Sequence, residues 1–170
     1  MIIVADTSVL INFLKIDRMD LLGRYPGGFI ATDHVRGEVT DRYPSQIVRY
    51  AAAIESGYIG EEKVIDPIEL ALFARLSETP RLGIGECSAI AVALSRSYAL
   101  AIDDGRAIKH ALREAGLFGQ TLMVLRTVDI VVDLIRAGAL DIVSADEIRY
   151  EWEAKHQFRI AISSFGDLLR

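Results

Sequence analysis

The sequence predicts a three-layer α/β/α domain with a mostly parallel central sheet. Three observations predict it. Short, continuous apolar runs at residues 2–5 and 98–102 each end abruptly in aspartate, the pattern of a strand buried on both faces. Segments with helical spacing separate these runs, giving the alternation from which parallel sheets are built. The composition is that of a globular chain: 170 residues, 51% hydrophobic and 25% charged, with 13 glycines and 4 prolines. That is enough for one ordinary domain and excludes disordered, collagenous and low-complexity classes.

The elements follow in order. Residues 2–5, Ile-Ile-Val-Ala, form the first strand, and Asp6, Thr7 or Ser8 then caps a helix carrying Val9, Leu10, Phe13 and Leu14. Gly27-Gly28 breaks the chain before a strand at 29–32, and Asp33 is placed to cap the helix that holds Val35, Glu38 and Val39. Ser45 opens a helical pattern through Ile47, Val48, Ala51 and Ile54 that Gly57 closes. A strand is expected at 63–65, stopped by Pro67, and a helix at 69–76. After a loop with Pro80 and Gly83, a strong helix runs from Gly85 with Ile90, Ala93 and Leu94 on one face. The strand at 98–102 ends at Asp103-Asp104, and the helix at 105–115 carries Ile108, Ala111 and Leu112. A short strand at 118–123 and an amphipathic helix at 125–137, ended by Gly138, complete the alternation. Ile148, Trp152, Phe158, Ile160, Ile162 and Leu168 suggest one or two further helices packed on the body. No repeat or linker is visible, so residues 1–170 are expected to be one domain, with about 140–170 a C-terminal helical extension.

Charge and cysteine content narrow the function. Nineteen basic against 24 acidic residues give −5, so no global basic field draws in a polyanion. The lone Cys87 excludes an internal disulfide and a thiolate cage, which suits a reducing cytoplasm. No signal-like n-region or membrane-length apolar run is present, so a soluble cytoplasmic protein is expected.

In open parallel sheets, ligands bind at the carboxyl ends of the strands. Asp6, Asp103 and Asp104 lie there, Glu38 follows the second strand, and Glu86 opens the helix before the strand at 98–102. Carboxylates crowded at one sheet edge repel unless a cation shares the site. A hard divalent ion, Mg²⁺ or Mn²⁺, fits such oxygen ligands and assists displacement at a phosphodiester. Zinc fits less well, since His34, His110 and His156 lack ligand spacing. Each acid has a plainer role as well. On that plainer reading Asp6 and the Asp103-Asp104 pair are only caps, Glu86 only complements a helix dipole and Glu38 is only a solvated surface charge.

Four stretches together resemble the PIN domain, a small metal-dependent nuclease fold. They are Asp6-Thr7-Ser8-Val9-Leu10-Ile11-Asn12, Val35-Arg36-Gly37-Glu38-Val39, Gly83-Ile84-Gly85-Glu86-Cys87-Ser88-Ala89-Ile90-Ala91 and Ala101-Ile102-Asp103-Asp104-Gly105-Arg106-Ala107. Their order and spacing match the family's four motifs. Gln120-Thr121, read as a strand ending in threonine, and Phe158-Arg159-Ile160 extend the likeness to a longer branch. The resemblance implies that Asp6, Glu38, Glu86 and Asp104 hold one or two Mg²⁺ or Mn²⁺ ions for hydrolysis of RNA. Asp103 is the alternative ligand to Asp104, which is favoured. Thr7, Ser8, Asn12, Asp103 and Thr121 would support the ligands by hydrogen bonds. Arg106 and Lys109 would contact phosphate or simply form a solvated helix face. The fourth motif departs from the family where Ile102 replaces a common threonine.

The resemblance further implies a VapC-type toxin ribonuclease, silenced by a small antitoxin over the acidic groove and forming a homodimer. The alternatives are a catalytically idle binding module and a nuclease with a housekeeping role in RNA processing. An idle module would be expected to have lost an acid, and all are present. A phosphatase with Asp6 as nucleophile ranks last, because Ser8 stands where a second aspartate is wanted.

Overall fold

A computed structural model describes residues 1–169. Five strands, β1 (Ile2–Ala5), β2 (Gly28–Thr32), β3 (Ile59–Glu62), β4 (Ala99–Ala101) and β5 (Val124–Leu125), pair in the order β3-β2-β1-β4-β5, every pairing parallel. The helices are α1 (Thr7–Lys15), α2 (Asp20–Arg24), α3 (Asp33–Arg42), α4 (Ile47–Glu55), α5 (Pro67–Ser77), α6 (Ile84–Ser95), α7 (Gly105–Leu117), α8 (Thr127–Arg136) and α9 (Ile142–His156). Short 3₁₀ turns at Pro44–Gln46 and Phe165–Leu168 complete the order.

The sheet is covered on both faces, as its apolar strands require. Alternate residues of β1 point to opposite cores. Ile3 and Ala5 join Phe29, Ala31, Ala99 and Leu125 against α1, α2, α8 and α9, while Val4 joins Leu100 and Ile102 against α5, α6 and α7. This confirms the three-layer α/β/α class. α6 is buried almost all round, from Cys87 to Leu94, which explains its alanine-rich composition. The C-terminal segment packs into the first core through Trp152 and Phe165, both fully buried. No helix among the described residues is long and apolar enough to cross a membrane.

Several boundaries differ from expectation. The third strand is Ile59–Glu62, not 63–65. It is an edge strand with one buried residue, Ile59, so its sequence is polar. Its carboxylates are engaged, Glu61 accepting from the Tyr50 hydroxyl and Glu62 from Arg96. The fifth strand is Val124–Leu125, because the α7 C-terminus consumes residues 118–120. The Gln120 N–H donates to the Ala115 carbonyl and Gly119 turns with φ +65°. α3 is capped by Thr32 rather than Asp33, the Thr32 Oγ1 accepting from the Val35 N–H at 3.2 Å. α4 begins at Ile47 after the 3₁₀ turn, and α8 at Thr127 rather than 125.

Candidate active site

The chain builds β1, β2 and β3 outward and then returns to place β4 on the other side of β1. The ends of β1 and β4 therefore form the topological switch point, where open sheets leave a crevice. Asp6 and Asp103-Asp104 lie at this point. The Asp6 N–H donates to the Ala101 carbonyl at 2.8 Å, pinning the residue to the end of β4.

Asp6 caps α1. Its Oδ2 accepts from the Ser8 N–H at 2.9 Å and the Ser8 hydroxyl at 2.6 Å. The residue is buried, and Oδ1 has no hydrogen-bond partner. Such an orphaned buried oxygen is costly unless a ligand satisfies it. Thr7 Oγ1 donates to Glu38 Oε2 at 2.9 Å, and Glu38 Oε1 accepts from the Gly85 N–H at 3.0 Å. Glu86 Oε2 accepts from the Gly83 N–H at 2.7 Å. Two carboxylates thus rest on the N-terminus of α6, where free N–H groups and the helix dipole favour negative charge. Asp6, Glu38 and Glu86 line one open cleft of about 440 Å³, with Arg42, Tyr43 and Arg81 also on its walls.

The doubled aspartate divides its roles. Asp103 turns into the fold. Its Oδ1 accepts from the Thr127 N–H at 2.9 Å, and its Oδ2 accepts from the Thr127 hydroxyl at 2.6 Å and Asn12 Nδ2 at 2.9 Å. Its own N–H donates to Ser8 Oγ at 3.1 Å, linking it to Asp6. Asp104 is exposed and caps α7, Oδ1 accepting from the Arg106 and Ala107 N–H groups.

Burial raises the pKa of Asp6, opposed by the Ser8 hydrogen bonds and reinforced by the charge of Glu38. Burial also raises Glu86, with Asp6, Asp104 and Glu38 adding to it. Asp104 therefore lies within electrostatic reach of the cleft carboxylates. Asp103 is raised by burial against its Thr127 and Asn12 hydrogen bonds. Cys87 is buried, and burial pushes its thiol up to about 11, the state of a packing residue rather than a nucleophile.

Among the described residues no three His, Cys, Asp or Glu side chains close into a ready cation cage. The donor set nevertheless suits a hard cation, being all oxygen, mutually repulsive and holding an unpartnered Asp6 Oδ1.

Not every expected residue comes to the cleft. Thr121 is exposed in the loop before β5, not at a strand end. The threonine that reaches the site is Thr127, fully buried two residues after β5. Arg106 and Lys109 are exposed on α7, outside the cleft lining. Thr127, Thr32, Arg42, Tyr43 and Arg81 were not singled out from the sequence. For Thr127 a signal existed: a hydroxyl residue at a strand-to-helix junction, as at Asp6-Thr7-Ser8.

Comparison with known proteins agrees with this geometry. No curated protein matches the chain. Its fold is similar to that of a PilT N-terminus domain protein, SSO1118, from the hyperthermophilic archaeon Sulfolobus solfataricus P2. That similarity has a TM-score of 0.52 and 16% identity, covering 83% of this chain and 95% of that one. The family model DUF3368, described as a PIN domain, matches residues 2–169. Every strand and every carboxylate of the cleft falls within that match, and the chain belongs to the PIN-domain family.

Proposed function

We propose that this protein is a metal-dependent endoribonuclease that hydrolyses RNA phosphodiester bonds. PIN domains are a nuclease-type family, which supplies the reaction class. The observation that carries the finer proposal is the convergence of Asp6, Glu38 and Glu86 on one cleft, with Asp6 Oδ1 buried and unpartnered.

In this proposal Asp6, Glu38, Glu86 and Asp104 hold Mg²⁺ or Mn²⁺. A divalent cation, when bound, neutralises phosphodiester charge and acidifies water for attack. Thr7 orients Glu38, Ser8 orients Asp6, and Asp103 with Asn12 and Thr127 holds the ends of β1 and β4 together. We further propose that the protein is the toxin of a type II toxin–antitoxin pair. It would act as a homodimer and be held silent by a small antitoxin that seats a basic group on the carboxylate floor.

The test is cleavage of a labelled single-stranded RNA in Mg²⁺ or Mn²⁺ by the wild type and Asp6→Asn, with and without chelator. The wild type is expected to cut, and chelator to abolish cutting. Asp6→Asn should lose about a hundredfold or more, roughly 3 kcal/mol of barrier. Equal cutting by both proteins overturns the assignment of Asp6.

A further inference from the structure

Arg81 lies in the loop between α5 and α6, in a turn that the Leu82 N–H closes by donating to the Thr79 carbonyl at 3.4 Å. Pro80 takes the second position and Arg81 the third, with φ +68°. That conformation belongs to a turn whose third residue is normally glycine or asparagine. An arginine holds it only under backbone strain, which is kept where the surroundings or function demand the side chain.

The side chain is exposed and lines the acidic cleft. Among the described residues it has no hydrogen bond or ion pair, although three carboxylates share its cleft. Glu38 accepts from Thr7 and Gly85 and faces Arg42 at 3.9 Å, Glu86 accepts from Gly83, and Asp6 accepts from Ser8 through Oδ2 alone. Arg81 is thus an unneutralised cation beside an anionic floor, on a protein whose net charge of −5 gives no general attraction for nucleic acid.

We infer that Arg81 is a positioning residue that grips a phosphate of single-stranded RNA at the cleft lip and so sets the strand over the carboxylate floor. The inference rests on the nuclease proposal above. Its chemistry is the charge-assisted hydrogen bonding of guanidinium to phosphate oxygens, supplied at one point instead of by a basic surface.

The experiment compares wild type, Arg81→Asn and Arg81→Lys with a fluorescently labelled single-stranded oligoribonucleotide of mixed sequence in Mg²⁺. Asparagine tolerates the left-handed conformation and removes the guanidinium with its charge and reach. Arg81→Asn is expected to raise Kd and KM about tenfold, with the effect on KM rather than kcat. The slope of log affinity against log salt should become shallower by about 0.7, the loss of one phosphate contact to a single strand. Its Tm should stay level or rise as strain is relieved, and Arg81→Lys should restore most of the salt slope. If the wild type cuts RNA while Arg81→Asn keeps its KM and slope, the inference falls and the nuclease proposal stands. A lower Tm and kcat with an unchanged slope marks a structural residue and also overturns it. A wild type that neither binds nor cuts RNA overturns both.

Discussion

Gly85 shows how a single atom decides the site. A Cβ there would fall 2.7 Å from Glu38 Oε2 and 2.8 Å from its Cδ, so only glycine lets the Glu38 carboxylate dock on the start of α6. Gly85→Ala should destabilise by about 1 kcal/mol, read by thermal melting, as the Glu38 carboxylate is pushed off the Gly85 N–H, and should reduce nuclease activity through that displacement. Gly37, inside α3 with open space at its Cβ position, gives the opposite sign. Gly37→Ala should stabilise by roughly 0.4–1 kcal/mol. Asp6 carries the pH prediction. Burial holds Asp6 and Glu86 above their ordinary values of 3.8 and 4.5, so the folded chain keeps these protons more tightly than the unfolded one. Their contribution to stability is full below those unfolded values and is lost as pH rises through the raised folded ones. Asp6→Asn cannot ionise. Its metal-free Tm should therefore exceed that of the wild type at neutral pH, and the difference should shrink toward pH 4. Added Mg²⁺ should raise the wild-type Tm more than that of the variant.

At the scale of elements, α3 and α6 bring Glu38 and Glu86 to the cleft, and a buried clasp sets their mutual position. Thr32 Oγ1 caps α3 at the Val35 N–H and lies 2.6 Å from Ser88 Oγ, which donates to the Gly85 carbonyl inside α6. Thr32→Val keeps the shape and removes both interactions. It should cost about 1–2 kcal/mol in chemical denaturation, through the lost cap and the lost hydrogen bond to Ser88 Oγ. Ser88→Ala should cost less than Thr32→Val, because the cap survives. The two substitutions should be non-additive, which a double-mutant cycle reads directly.

For the whole molecule, Trp152 ties the C-terminal segment to the first helix. The Trp152 indole N–H donates to the Asn12 carbonyl at 2.7 Å, and its ring meets Phe13 and Phe158 edge to face. Asn12 in turn donates to Asp103 and Thr127, so the C-terminal segment supports the layer beneath the carboxylates. Trp152 is the chain's one tryptophan, and its fluorescence reports this junction. Urea unfolding followed by that fluorescence and by far-UV circular dichroism should give coincident transitions, the behaviour of a single cooperative unit. An earlier fluorescence transition would mean that the C-terminal segment detaches as a separate layer.

The sequence by itself determined the class of fold and the acids of the cleft. Doubly buried strands are continuous apolar runs, and the residues that end them stand at the sheet's carboxyl edge whatever the packing detail. Asp6 and the Asp103-Asp104 pair were legible for that reason, and Glu38 and Glu86 from their places in the helices beside those strands and from the motifs around them. Only the tertiary structure divided that pair, because hydrogen bonds from Asn12 and Thr127, distant in sequence, turn Asp103 inward and leave Asp104 exposed. It alone placed the third strand at Ile59–Glu62, since an edge strand with one buried residue carries no apolar pattern. It alone replaced Thr121 by Thr127, because the end of α7 uses residues that resemble a strand. Arg81 entered the cleft through a left-handed turn, which depends on backbone dihedrals and not on hydrophobic period. Periodicity records which residues leave water, and long-range hydrogen bonds and turn geometry decide which of the remaining polar groups meet.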